Sequence, residues 1–217
     1  MVFFFTCVDE RYTVYMGKDK YENEELLKYG WPEDVWFHVD NWSSAHVYLR
    51  MPTPEVTTRE VLAEMLAAIP EEVKAEMCQL VRGNSIEGCK QPKVDIVYTP
   101  FHNLDKRANM DDGQVGFKDS NARYLVRHVA RELPILKRIE KTRREGNPDL
   151  FAEKEQRMEE EKHRRKKKAS QEKERKKADD RAAAENQAAI EAEQRAYDNP
   201  EGNRGIDALS SDSDEYM

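Results

Sequence analysis

The distribution of aromatic residues constrains this chain more than any other feature, because large aromatic side chains supply much of the buried area of a protein core. Sixteen of the nineteen lie before position 132, and only Phe151, Tyr197 and Tyr216 follow. The 85 positions after 132 therefore cannot bury much apolar surface against themselves. This pattern predicts one core-forming domain over residues 1–130, followed by a long polar segment.

Charge is distributed unevenly along the polar segment. Residues 133–178 carry 17 Lys and Arg against 10 Asp and Glu, whereas residues 179–217 carry 3 against 11. The net charge of −7 hides a basic block at 162–177, which holds ten Lys or Arg and two Glu. Because the Debye length is only about 8 Å at physiological salt, a polyanion responds to this local charge rather than to the total. A solvated basic helix face without a ligand is the alternative interpretation.

The segment 131–197 has the composition of a charged helix that starts near Pro134 and is interrupted at 146–148. Glu precedes Arg or Lys by four residues at several positions, which stabilises an isolated helix by about 0.2–0.5 kcal/mol per pair. These pairs are Glu153–Arg157, Glu160–Arg164, Glu161–Arg165 and Glu172–Lys176. Apart from alanine, only Met158 is apolar between Phe151 and Ile190, so an apolar heptad seam is missing. We predict a single helix that is coiled-coil-like in composition.

Residues 198–217 are predicted to form a disordered acidic tail, because Pro, Gly, Asn and a cluster of acidic and Ser residues cannot build a core. Ser210, Ser211 and Ser213 lie in an acidic run that ends at Glu215, a pattern that acid-directed kinases favour. Phosphorylation adds about −1.5 to −2 charge per site. We expect the modified tail to compete with nucleic acid for the basic block.

Hydrophobic runs in this sequence are too short for a membrane-spanning helix. The longest strictly apolar runs are residues 2–5 and 65–69, whereas a spanning helix needs about 20 predominantly apolar residues. The N-terminus lacks the basic start and apolar stretch of a secretory signal. We therefore expect a cytoplasmic protein, with the nucleus as an alternative location.

The first 130 residues contain strand-like and helix-like segments. β-Branched and aromatic residues predict strands at 2–6, 12–16, 35–39, 46–49, 94–98, 114–117 and 124–126. Apolar spacings of three and four, together with composition, predict helices at 22–29, 60–69 and 71–81. The expected fold class is α+β, with a mainly antiparallel sheet and packed helices, followed by the long charged helix and the disordered acidic tail.

All three tryptophans lie within the twelve residues 31–42, interleaved with polar and histidine side chains. On a strand, Trp36 and His38 share one face while Phe37 and Val39 share the other. One face can then belong to the core while the other is a polar surface. The candidate nucleic-acid contacts of this stretch are Trp36, His38, Ser44, His46, Tyr48 and Arg50, and the candidate basic arm is Arg164, Arg165, Lys166, Lys167 and Lys168.

Catalysis is an alternative use of the histidines. His38 and His46 with Asp40 could form an acid–base or metal cluster, but a third strong ligand or an oriented nucleophile has no recognisable spacing. The three cysteines lack a CxxC spacing, which fits neither a zinc site nor a disulfide framework. We expect no enzyme activity, no cofactor, no metal and no small-molecule substrate.

Residues 1–130 resemble the NFACT RNA-binding domain family, whose members have a Gly-plus-polar turn, a Gln- and Asn-rich helix start, a D-x-W-x-H strand and an S-H-V strand. The residues that carry this resemblance are Gly17, Asn23, Asp34, Trp36, His38, Ser44, His46 and Val47, with segments 97–99 and 112–115. The sequence departs from the family at 43–46, where Ser-Ser-Ala-His replaces the usual Pro-Gly before Ser-His-Val.

The resemblance implies an RNA-binding module that is associated with the ribosome or with tRNA, in translation or its quality control. It also adds Lys18, Lys20, Tyr21 and Asn23 to the candidate nucleic-acid contacts. Lys18 and Lys20 would contact phosphates, while His38 and His46 would hold a polar surface together or contact unstacked bases.

Two other functions remain open at this point. The layout of a domain plus a charged helix also resembles family members described as DNA binders, including sensors of extracellular DNA at the cell surface, and only that alternative involves a membrane. A helical protein-interaction scaffold is the other. Steep salt dependence separates nucleic-acid binding from an apolar protein contact.

Overall fold

The computed structural model describes residues 1–52 and 59–198. These residues fall into two units, Met1–Arg157 and Met158–Met217. The predicted acidic tail lies outside the described residues from position 199 onward, and so do the candidate phosphorylation sites Ser210, Ser211 and Ser213.

The first unit is built on an antiparallel sheet. The strands of the described part are β1 (Val2–Thr6), β2 (Thr13–Gly17), β3 (Asp34–Val39), β4 (Val47–Arg50), β5 (Lys93–Pro100), β6 (Leu104–Asp105), β7 (Gly116–Phe117), β8 (Tyr124–Ala130) and β9 (Arg144–Gly146). Its helices are α1 (Lys20–Tyr29), α2 (Arg59–Ala67), α3 (Glu71–Gly83), α4 (Leu133–Glu140) and α5 (Leu150–Asp198), which continues into the second unit. Seven strands form one sheet in the order β8-β5-β3-β4-β2-β1-β9, and β6 pairs with β7. The predicted α+β class is confirmed.

Alternation along the central strands gives the sheet two apolar faces. Val35, Phe37 and Val39 of β3 point to one face, where they pack with Phe3, Val14 and Leu49 from neighbouring strands and with Leu66, Val73, Met77, Leu80 and Ile139 from α2, α3 and α4. This face forms the larger core.

The opposite face differs from the polar surface that the sequence suggested. Trp36 is 2% exposed and lies in a second core cluster with Tyr15, Leu26, Tyr48 and Leu104. The face is buried because α1 and the β6–β7 segment supply residues that cover it. Within β3, only His38 remains half-buried.

The turn between β2 and α1 brings two backbone segments close together. Asp19 caps α1, since its carboxylate accepts hydrogen bonds from the backbone N–H groups of Tyr21 and Glu22, both at 3.0 Å. A Cβ atom on Gly17 would lie 2.9 Å from the backbone nitrogen of Asn23. Glycine is therefore required here for the close approach of the turn to the helix.

The first unit extends past position 130, where the sequence placed the domain boundary. Leu136 and Ile139 of α4 are buried, and β9 pairs with β1 in antiparallel register. The ring of Phe151 packs edge-on against Tyr29, with centroids 6.1 Å apart. Arg157 forms an ion pair with the buried Glu33. The segment 131–157 is polar in sequence. Its few apolar residues, such as Leu136, Ile139 and Phe151, pack against residues that are distant in sequence.

The second unit continues α5 as a charged helix. Arg165 pairs with Glu161, as the four-residue spacing predicted, and Arg181 pairs with Glu185 at 2.9 Å. Of the candidate basic arm, Arg165, Lys166, Lys167 and Lys168 are exposed and Arg164 is half-buried. In the part of the chain that the structure describes, no helix is long and apolar enough to cross a membrane.

Candidate nucleic-acid interface

An open cleft of about 870 Å³ lies on the first unit. Three segments supply most of its lining: the turn from β2 into α1, the end of β3 with the loop to β4, and the segment that leads into β7; Val97 of β5 completes it. The lining residues are 17–20, 23, 36, 38–46, 97, 112–115 and 117. The cleft thus brings together residues that are far apart in sequence.

An aromatic cluster forms part of the lining. The rings of Trp36 and His38 stack with centroids 5.2 Å apart and an interplanar angle of 6°. His46 meets both rings edge-on, at 5.0 Å from His38 and 5.2 Å from Trp36, and Phe117 packs edge-on against Trp36. These contacts fix the orientation of both histidines.

His46 is held in one neutral tautomer. The indole Nε1–H of Trp36 donates to His46 Nδ1 at 2.8 Å, so the ring proton must lie on Nε2. That nitrogen lies 2.8 Å from the carbonyl oxygen of Gly113, to which it donates. Burial, with a smaller contribution from His38, lowers the pKa of His46 to about 3. Both ring nitrogens are therefore used inside the protein.

His38 is also neutral near pH 7. Burial lowers its pKa, although hydrogen bonds to the backbone carbonyls of Val39 and Ser44 act in the opposite direction. Its Nδ1 lies 2.7 Å from the carbonyl oxygen of Val39. The histidines consequently bring no positive charge to the cleft.

Asn23 lies in the cleft wall with half of its amide group satisfied. The hydroxyl of Tyr48 donates to Asn23 Oδ1 at 2.7 Å. Burial raises the pKa of Tyr48 well above its usual value, so this hydroxyl stays protonated. In this orientation the amide oxygen of Asn23 faces Tyr48 as the acceptor, and Nδ2 is left as a donor. Asn23 Nδ2 is buried and has no hydrogen-bond partner among the described residues.

Several predicted contacts have structural roles in this arrangement. Tyr48 is 0% exposed and orients Asn23. Ser44 Oγ accepts from the backbone N–H of Val39 at 3.1 Å, which ties the β3–β4 loop to β3. Arg50 pairs with the buried Asp34, and its guanidinium lies 3.4 Å from the ring centroid of Trp31. Neither Tyr48 nor Arg50 lines the cleft.

The exposed candidates lie on α1 and the turn before it. Lys18 and Lys20 line the cleft. The ammonium group of Lys20 lies 3.9 Å from the carboxylate of Asp112 and 5.0 Å from the ring centroid of Tyr21. Tyr21 is 65% exposed but lies outside the cleft lining.

The lining is nearly balanced in charge. Its two lysines face three aspartates, Asp19, Asp40 and Asp112, while both histidines are neutral. The formal charge of these side chains does not favour a phosphate group over a neutral ligand.

Trp42 is a site residue that was missing from the candidate contacts. It is 42% exposed and lies in the cleft lining, next to Asn41, whose φ is 64°. A large aromatic residue within the polar stretch 40–44 was the sequence signal for it.

A partly buried ion pair that the sequence did not suggest holds the opposite wall of the cleft. Glu24 accepts hydrogen bonds from the backbone N–H of Gly113 and from Lys106 Nζ, both at 2.8 Å. These contacts depend on a long-range approach of α1 to the segment before β7, so no local pattern predicted them.

Comparison with known proteins places this fold and cleft in a family. The family of NFACT protein RNA binding domains matches residues 1–119, and the chain belongs to that family. It is 54% identical to coiled-coil domain-containing protein 25 of Danio rerio over 159 residues, which cover 72% of each chain.

More distant relatives show a similar extent of similarity. The coiled-coil domain-containing protein 25 homolog of Dictyostelium discoideum is 49% identical over 72% of each chain. The protein JLP2 of Saccharomyces cerevisiae is 40% identical, over 66% of this chain and 68% of its own. The predicted resemblance to the NFACT RNA-binding domain family is confirmed.

Proposed function

We propose that the chain is an RNA-binding protein of the ribosome- or tRNA-associated machinery, in translation or its quality control, and that it acts in the cytoplasm, with the nucleus as the alternative. The observation that carries the proposal is the position of the cleft. Every residue that lines it lies within residues 1–119, the part that matches the RNA-binding family.

The two units would contribute different parts of the binding energy. Phosphate contacts from Lys and Arg supply sequence-independent affinity that falls steeply with salt. The basic block at 162–177 can make such contacts, because most side chains of the candidate basic arm at 164–168 are exposed. The cleft, which is balanced in charge, would instead recognise a structural or chemical feature of the RNA.

Binding rather than catalysis is the role we propose for the histidines. His46 uses both ring nitrogens to hold Trp36 and Gly113 in place. A ring with its acceptor and donor both occupied is a positioning group and not a proton carrier for a substrate.

A salt titration of purified protein tests the role of the basic arm. Gln substitutions at the five arm residues remove positive charges that would neutralise phosphates. We expect them to flatten the plot of log affinity against log salt by about 0.7 for each phosphate of a single strand that the arm neutralises in the wild type. The substituted residues are Arg164, Arg165, Lys166, Lys167 and Lys168. Arg substitutions at Lys166, Lys167 and Lys168 are the matched control, because they keep the charge and should keep the slope. An unchanged slope in the Gln variant would contradict the proposed arm.

Crosslinking in cells, followed by sequencing of the bound RNA, tests the cellular partner. We expect rRNA or tRNA to be enriched over messenger RNA. Single-stranded DNA of the same sequence, titrated in parallel, tests the alternative of a DNA-binding protein. If the protein binds neither RNA nor DNA measurably, and instead binds a protein partner with an affinity that does not change with salt, the protein-interaction scaffold would be favoured.

A further inference from the structure

We propose that the cleft receives one unpaired nucleobase of a single-stranded RNA, which stacks on Trp42 and accepts a hydrogen bond from the amide of Asn23. This inference rests on the proposed RNA-binding function and names the part of the RNA that the cleft recognises. Three features of the lining carry it: the unsatisfied donor, the exposed indole and the charge balance.

The amide of Asn23 is a donor without a partner in the described structure. Tyr48 fixes its orientation by donating to Oδ1, which leaves Nδ2 directed elsewhere. A buried donor that stays unpaired is unfavourable, and a ligand acceptor at this position would satisfy it. Each nucleobase presents ring nitrogens or carbonyl oxygens that accept hydrogen bonds.

Trp42 offers the stacking surface that the other tryptophans of the chain do not. Trp36 is 2% exposed, and its ring already stacks on His38. Trp31 lies near the guanidinium groups of Arg50 and Arg157, at 3.4 Å and 4.5 Å from its centroid. Trp42 is 42% exposed in the cleft. Base stacking on an aromatic side chain requires an unstacked base, which a duplex does not present.

The cleft is large enough to admit a nucleobase, and its charge fits the neutral part of a nucleotide. A volume of about 870 Å³ lies within the range of roughly 300–1,000 Å³ that small ligands occupy. Two lysines against three aspartates do not select for phosphate, and His38 and His46 remain uncharged. The base therefore enters the cleft, and phosphates follow the outer surface or the basic arm.

The test uses the full-length protein and two labelled RNAs at fixed salt, a single strand of mixed sequence, about 12 nucleotides long, and the duplex of the same sequence. We expect Trp42→Ala to weaken binding of the single strand about tenfold to hundredfold. The affinity for the duplex and the salt slope should stay unchanged. Ile86→Ala is the matched control, because Ile86 is 79% exposed and lies outside the cleft lining.

Asn23→Asp tests the hydrogen bond separately. Aspartate keeps an acceptor for Tyr48 but removes the Nδ2 donor, so the folded variant should bind the single strand about fivefold more weakly or worse. Position 23 is only 4% exposed, so the new carboxylate is buried and should lower the melting temperature. Binding is therefore measured well below the melting transition of the variant. If this variant does not fold, 4-thiouridine crosslinking of the wild-type protein replaces it, and the crosslinked peptide should contain Trp42 or Asn23.

The outcomes separate this inference from the proposed function. Retained RNA binding that is indifferent to Trp42→Ala, or an equal loss on the duplex, overturns the base-binding cleft and leaves RNA binding intact. Absence of binding to either RNA by the wild-type protein overturns both.

Discussion

The neutral tautomer of His46 makes the stability of the first unit depend on pH. The pKa of this ring is lowered from 6.5 to about 3, mainly by burial. The unfolded chain therefore binds more protons than the folded one between these values. Stability from this group is fully present above pH 6.5 and is lost as the pH falls towards 3.

The magnitude follows from the two pKa values. Between about pH 7 and pH 5 the unfolded ring becomes almost fully protonated while the folded ring takes up almost no proton. Integration of the linkage relation over this interval gives a loss of about 2 kcal/mol in the free energy of unfolding. His38, whose pKa is lowered in the same direction, adds to the effect.

Urea unfolding followed by tryptophan fluorescence at about pH 7 and pH 5 measures this loss. His46→Gln removes the titrating ring, so the variant should lose about 2 kcal/mol less than the wild type between the two pH values. Trp36→Phe removes the N–H group that opposes protonation of His46 Nδ1. The stability that this variant loses between the two pH values should therefore lie between the losses of the wild type and of His46→Gln. If wild type and His46→Gln lose equal stability on acidification, His46 is not held neutral and the described hydrogen-bond pattern is wrong.

Three further predictions concern the turn, the domain boundary and the tail. Gly17→Ala should lower the free energy of unfolding by about 1–3 kcal/mol, because its Cβ would meet the backbone of Asn23 at 2.9 Å; an unchanged thermal melt would refute this. A chain that ends at Arg157 should melt like the full-length protein, whereas one that ends at Asp149 loses the ion pair of Arg157 with Glu33 and the packing of Phe151 on Tyr29 and should melt earlier; equal melting of the two truncations would contradict the boundary. Phosphomimetic Glu at all three tail serines should weaken RNA binding at about 50 mM salt by adding negative charge that competes for the basic arm; equal affinity would remove the idea. These serines are Ser210, Ser211 and Ser213.

Local pattern predicted the helices and the longer strands of the fold, but it missed the short strands β6 and β9, which pair with β7 and β1. β-Branched and aromatic residues predicted the central strands, because such side chains favour extended backbone. Asp34–Val39 and Val47–Arg50 lie within one residue of their predicted limits. The four-residue spacing of Glu161 and Arg165 likewise predicted their ion pair. Such features depend on neighbours in sequence, so the sequence alone carries them.

Pairing across the fold depended on the tertiary structure. The sequence predicted Glu153 as the partner of Arg157, but in the structure Arg157 pairs with the buried Glu33. An unpaired buried carboxylate is much more unfavourable than an unpaired exposed one. A positive charge therefore stabilises the fold more when it pairs with a buried carboxylate than when it pairs with one on an exposed helix surface. Local spacing cannot show which carboxylate will be buried.

The same division applies to the candidate site. The sequence by itself identified His38 and His46 through their position among the tryptophans, and Asn23 through the resemblance to the family. Only the tertiary structure decided that His46 donates to Gly113, 67 residues away, and that Tyr48 turns the amide of Asn23. A side chain's protonation state and free donors depend on what covers it, and here the cover comes from distant segments of the chain.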